Sequence, residues 1–297
     1  MKVRIIGVPM DLGQDRRGVD MGPSAIRNAR LSRRLGENDI QVEDMGNIEV
    51  PHPETIQIKN PKLKYIDEII QISEKTADAV DRAICEGRIP LILGGDHSIA
   101  LGSVTGSSRA LKKIGLIWID AHGDFNTEET TPSGNIHGMI LAALLGIGDK
   151  RLVNVGGFAP KVSPENVVLI GARALDKEER VLIKKSGINV FTMHDIDRYG
   201  MRDVMQKAIE LASKGTRGVH LSFDMDVLDP MVAPGVGTPV RGGITYREAA
   251  LAVEMLAEAQ IIRTLEFVEI NPTLDRVNET SHVAVGLIAA ALGEKIL

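Results

Sequence analysis

Residues 115–124, Gly-Leu-Ile-Trp-Ile followed by Asp-Ala-His-Gly-Asp, decide the fold. The apolar half, Gly115–Ile119, has the length and β-branched content of a buried strand. It shows no apolar/polar alternation, so both of its faces need cover. That pattern belongs to a parallel sheet with helices on either side. The polar half begins where the strand ends, at Asp120.

The same pattern recurs along the chain. Strands are expected at Val3–Val8, Ile89–Leu93, Asn166–Ile170, Ile188–Thr192, Val219–Phe223 and Thr264–Ile270. Between and around them, helical spacing marks Pro23–Leu35, Tyr65–Cys85, Ala100–Lys113, Ala249–Ala259 and Val283–Leu292. Val50–Lys64 and Gly146–Glu165 are the longest irregular stretches, and neither has the composition of a linker. The βα alternation therefore predicts a single α/β domain over residues 1–297.

Composition narrows the classes. The chain has 297 residues, is 43% hydrophobic and carries a net charge of −5, which is unlike a nucleic-acid binder. Aromatic residues make up only 3%, so the core is expected to be aliphatic and a base-stacking platform is not. The single cysteine, Cys85, precludes an internal disulfide and reads as a small packed thiol at a helix end. No signal-peptide pattern or membrane-length apolar run stands out, so a cytoplasmic protein is expected. No glycine fingerprint or Walker loop supports a nucleotide-binding module.

Four of the expected strands run into acidic or histidine residues: Asp96-His97, Asp120-Ala121-His122-Gly123-Asp124, Asp224-Met225-Asp226 and Glu269. In an open parallel sheet, strand C-termini share one edge, where ligands bind. Read as extended chain, Asp120, His122 and Asp124 would point one way, and so would Asp224 and Asp226. With His97, four aspartates and two imidazoles would then meet at one place. So many anions together repel one another unless cations join them. Two divalent ions offset the charge, and a set of carboxylates and imidazoles without thiolate suits manganese or magnesium better than structural zinc. Such a pair can activate water, the nucleophile of a hydrolase. His52, His194, His220 and His282 lack such company, and His220 reads as structural.

With Gly7–Arg27, GGDHS, DAHGDFNT, SGNIHG, SFDMDVLDP and EFVEINP in this order, the chain resembles the arginases of the ureohydrolase superfamily, and bacterial ones in particular. The resemblance implies a three-layer sandwich, with helices on both faces of an eight-stranded, mainly parallel sheet, in trimers or hexamers. It implies two Mn²⁺ per chain. His97, Asp120, Asp124 and Asp224 would hold one ion; Asp120, His122, Asp224 and Asp226 would hold the other. Asp124 would also orient the nucleophile, Glu269 would take the substrate guanidinium, and His137 would pass a proton to the leaving amine. The implied reaction is hydrolysis of L-arginine to L-ornithine and urea. Asn126, Thr131, Ser133 and Asn135 stand at the positions of a substrate loop, with Asn126, Thr131 and Ser133 on the α-carboxylate. Asp176 and Glu179 match the pair that reads the α-ammonium, and Thr238 matches a pocket position. This loop favours L-arginine over the substrates of agmatinase or formimidoylglutamase. Val227 and Ile140 depart from the family pattern, where Gly or Ala and Pro are common.

Overall fold

The computed structural model describes residues 1–295; residues 296–297, the end of the expected domain, lie outside it. Eight strands form one sheet: β1 Lys2–Val8, β2 Gln41–Asn47, β3 Ile89–Gly94, β4 Gly115–Ile119, β5 Val167–Ala172, β6 Asn189–Thr192, β7 Val219–Asp224 and β8 Ile262–Val268. Their order is β2-β1-β3-β8-β7-β4-β5-β6. Every neighbouring pair is parallel.

Side chains leave each strand alternately for two cores. Ile117 and Ile119 enter one, Leu116 and Trp118 the other. The first core is closed by α1 Gly22–Asn28, α2 Leu31–Glu37, α8 Met193–Ser213, α9 Tyr246–Ala259 and α10 Glu279–Ala291. The second is closed by α3 Ile66–Cys85, α4 Ala100–Leu111, α5 Ile140–Leu144, α6 Lys150–Val153 and α7 Lys177–Ser186. The fold is thus the expected three-layer α/β sandwich, with helices on both faces. Its core is mostly aliphatic, with the exception of a buried Phe223–Phe267 stack across β7 and β8 and of the buried Trp118 and Phe125.

Three local readings change. The expected helix over Pro23–Leu35 is two helices, because Arg30 takes a left-handed φ of 65° between α1 and α2. Strand β2 was not foreseen: its residues are mostly exposed, so no continuous apolar run announces it. Cys85 ends α3 as expected but is exposed rather than packed, with its Sγ near Asp81. Val227 is fully buried against Gly171, and Ile140 starts α5 inside the second core. Among the described residues, no helix is long and apolar enough to cross a membrane.

Candidate metal centre

The central strands β3, β8, β7 and β4 lie side by side, so their C-terminal ends bring His97, Glu269, Asp224 and Asp120 to one place. His97 Nδ1 lies 3.1 Å from one carboxylate oxygen each of Asp120, Asp124 and Asp224. His122 Nδ1 lies 3.0 Å from Asp226 Oδ2 and 3.5 Å from Asp120 Oδ1. Two groups result, His97–Asp120–Asp224 and Asp120–His122–Asp226, and Asp120 belongs to both. All these residues are buried except His122, which is partly exposed.

Extended chain is not what produces this convergence. Asp124 has a left-handed φ of 49°, and Asp226 sits in a tight 3₁₀ turn, Met225–Val227. The turns are tied by the carboxylates themselves. Asp226 N donates to Asp224 Oδ1 at 2.7 Å, and His122 N donates to Asp120 Oδ1 at 2.6 Å. Expecting a period of two in these segments was therefore incorrect, although it named the residues that meet.

The proton on His97 can be placed. Ser222 Oγ donates its one proton to Glu266 Oε1 at 2.7 Å, so it must accept from His97 Nε2, also at 2.7 Å. That leaves Nδ1 to face three carboxylate oxygens, where it finds no hydrogen-bond partner. A neutral imidazole with its proton on Nε2 would set a lone pair against these anions, and a cation between them turns each contact into a ligand bond. The donor set therefore fits metal ions. In the protein alone, burial penalises the charged imidazole, but the three carboxylates outweigh it and push His97 well above its ordinary value. Burial and the charges of Asp226 and Asp120 hold Asp224 well above the carboxylate range. Asp124 rises to about 6, from burial and the charge of Asp120. The site asks for positive charge.

Several supporting residues were not foreseen. Trp118 stacks on His97 with ring centres 4.0 Å apart and donates its Nε1–H to Asp120 Oδ2 at 2.9 Å. Ser222 and Glu266 pair across β7 and β8, two register positions from His220 and Thr264. Their signal was in the sequence: polar residues at alternate positions of two apolar strands. His220 is structural as expected, its Nδ1 2.6 Å from Thr264 Oγ1.

Glu269, in a left-handed conformation with φ 66° just past β8, accepts from His97 N at 2.9 Å through Oε1. The same oxygen lies 3.0 Å from His137 Nδ1. Burial opposes charge on His137, yet Glu269 outweighs it and pushes the imidazole up to about 9. Beside the centre is a cavity of about 340 Å³. Asn126, Thr131, Ser133, Asn135, Asp176, Glu179 and Thr238 all line it, with His122, Asp124 and His137. Their hydrogen bonds separate them. Glu179 accepts from the backbone N–H groups of Phe125 and Asp176, both at 2.9 Å, so it fastens the cavity wall. Burial pushes its carboxyl up to about 7. Thr238 donates to Asp226 Oδ2 at 2.9 Å, and Asn126 donates to Asp176 Oδ2 at 3.0 Å. A larger cavity, about 720 Å³, lies at the other end of the sheet, beside Met1, Ile89 and Ile262, far from these groups.

Residues 1–293 match the profile described as the Arginase family. The chain belongs to the arginase family. It is 57% identical over 293 residues to an arginase of Brevibacillus brevis, covering 99% of this chain and 98% of that one. The crystal structure of arginase from Bacillus cereus superposes with a TM-score of 0.95 at 54% identity, covering 100% of both chains. The native arginase structure from Bacillus caldovelox gives 0.96 at 53% identity, covering 99% of both. A family of enzymes thus shares this chain from end to end.

Proposed function

We propose that this protein is a one-domain hydrolase over residues 1–297, and that it converts L-arginine to L-ornithine and urea at a dinuclear manganese centre. The observation that carries this reading is His97 Nδ1 facing three carboxylate oxygens, each at 3.1 Å. The membership in the arginase family supports the substrate.

His97, Asp120, Asp124 and Asp224 would hold one Mn²⁺, and Asp120, His122, Asp224 and Asp226 the other, with Asp120 and Asp224 shared. When bound, the two ions supply Lewis acidity and make water a nucleophile at neutral pH. Asp124 orients that water by accepting its hydrogen bond. Glu269 holds the guanidinium, whose carbon must sit beside the water to react. His137, held protonated by Glu269 3.0 Å away, gives its proton to the departing amine nitrogen. Asn126, Thr131 and Ser133 receive the α-carboxylate at the cavity mouth, Asn135 completes that loop, and Asp176 receives the α-ammonium with Glu179 behind it. Thr238 closes the wall beside Asp226. The enzyme is read as a cytoplasmic homo-oligomer, a trimer or hexamer, which light scattering checks.

The test is urea release by the manganese-loaded protein from L-arginine and agmatine, with N-formimidoyl-glutamate hydrolysis followed in parallel. Turnover of L-arginine well above the others is expected. Faster turnover of agmatine would overturn the substrate, and fewer than one bound ion per chain would overturn the centre.

A further inference from the structure

Glu269 is read above as the acceptor of the guanidinium, yet most of its accepting capacity is already taken. Its Oε1 accepts from His97 N at 2.9 Å and pairs with His137 Nδ1 at 3.0 Å. Its Oε2 accepts from Gln14 Nε2 at 2.7 Å. A carboxylate offers about four lone-pair positions, so one remains, on Oε2. A guanidinium presents its N–H groups as a flat fork and wants two acceptors side by side. The second must come from another residue.

Gln14 supplies it. The residue sits in a loop closed by Asp11, whose Oδ2 accepts from Arg17 Nε at 2.7 Å and Gly18 N at 3.0 Å. Arg16 Nη1 ties the loop to Gly237 O at 2.9 Å. The Gln14 amide is oriented without ambiguity, because the Glu269 carboxylate can only accept, so Nε2 must face it. That leaves Gln14 Oε1, on a residue only 5% exposed, with no hydrogen-bond partner. A buried amide oxygen left unpaired is unfavourable, and a bound ligand relieves it. Gln14 lines a cavity with Gly237, Thr238, His122 and His137. A Cβ on Gly237 would lie 2.6 Å from Gln14 Oε1 and 2.8 Å from Glu269 Oε2. Both oxygens therefore pack against the same face of Gly237, where no side chain would fit.

We propose that Gln14 Oε1 and Glu269 Oε2 form a two-acceptor fork that receives two N–H groups of the substrate guanidinium, so that Gln14 is a specificity-determining residue. This deepens the L-arginine reading and rests on it.

The test compares wild type with Gln14→Met, which fills the same volume without polar atoms. Three quantities are read in the manganese-loaded enzyme: KM and kcat for L-arginine, and the inhibition constant of L-norvaline, which has the α-groups and no guanidinium. A rise in KM of about tenfold is expected, equivalent to about 1.4 kcal/mol, with norvaline inhibition unchanged. If KM and the norvaline constant rise together, Gln14 only shapes the loop and the fork is refuted. An unchanged KM refutes it as well. Gln14→Asn, which keeps the amide and withdraws it by one methylene, carries the same test should the methionine variant not fold. Wild-type activity on L-arginine is measured first, so failure of the substrate reading shows up before any variant is made.

Discussion

Replacing Ser222 with alanine removes one hydroxyl that would not itself hold an ion, and it is expected to weaken one metal site. Ser222 Oγ stands 2.7 Å from both His97 Nε2 and Glu266 Oε1, and all three residues are fully buried. Its loss strands an imidazole N–H and weakens the hold on a carboxylate. Each stranded group costs about 1–3 kcal/mol. Glu266 keeps Ser103 on its other oxygen and His220 Nε2 at 3.4 Å, so the larger share falls on His97. With no acceptor at Nε2, nothing favours the tautomer that turns a bare Nδ1 toward the carboxylates 3.1 Å away. An incoming ion can then take Nδ1 only by leaving the Nε2–H without an acceptor. Loss of an outer hydrogen bond of this kind lowers metal affinity about 10- to 100-fold.

The assay is competition for Mn²⁺ against a chelator of known affinity, with thermal unfolding of the metal-free chain alongside. Because His97 would serve one ion and His122 the other, only one of the two dissociation constants is expected to rise. Ser103→Ala is the control: it touches the far oxygen of Glu266 and is expected to lower stability with less change in affinity. Equal weakening at both sites, or affinities within about twofold of wild type, would refute the proton placement on His97.

Asp124→Asn is expected to lower kcat at least about 100-fold, since removing a transition-state partner costs that much or more; near wild-type turnover would show that Asp124 orients nothing. His137→Ala is expected to slow turnover with two ions still bound, checked by metal analysis, and loss of metal would make it a ligand instead. The same variant tests a pH dependence. His137 is pushed up to about 9 in the folded, metal-free chain, above the ordinary value near 6.5. Its pairing with Glu269 therefore stabilises fully below about pH 6.5 and fades as pH rises through about 9. The wild-type advantage over His137→Ala in urea unfolding should shrink across that window, and an advantage constant with pH would contradict the pairing. Gly171→Ala is expected to destabilise the chain by about 2 kcal/mol or more, because φ is +96° there and a Cβ would lie 2.5 Å from Val227 Cγ2; an unchanged melting temperature would mean β5 shifts to make room.

What the sequence revealed and what it hid follow from one physical distinction. Central strands buried on both faces must be continuously apolar, so β1, β3, β4, β5, β7 and β8 were legible as runs, and the ends of β3, β4, β7 and β8 marked the site; the edge strand β6 was legible too, through its half-buried Val190 and Phe191. The residues of the other edge strand, β2, are mostly exposed and freed from that demand, so it left no such trace. The helix break at Arg30 was hidden because left-handed φ at a non-glycine residue is imposed by packing, not by local preference. The site residues were legible for a different reason. Buried carboxylates are too unfavourable to occur without a partner, so four of them at strand ends required an explanation. The same rule, applied inside the strands, would have exposed Ser222 and Glu266, whose polar side chains interrupt β7 and β8 at paired register positions. Gln14 escaped because its role is set by the atom it leaves unpaired, and an unpaired oxygen is a property of three dimensions. The net charge of −5 points the same way. Four of the acids lie at the centre, and two divalent ions would bring the total to about −1. Metal removal is therefore an electrostatic perturbation of the core as well as the loss of a reactant. Chelation should lower the melting temperature more at neutral pH and above, where more of the carboxylates are ionised, than toward about pH 5. A drop that is the same at both pH values would mean the carboxylates do not repel as their spacing requires.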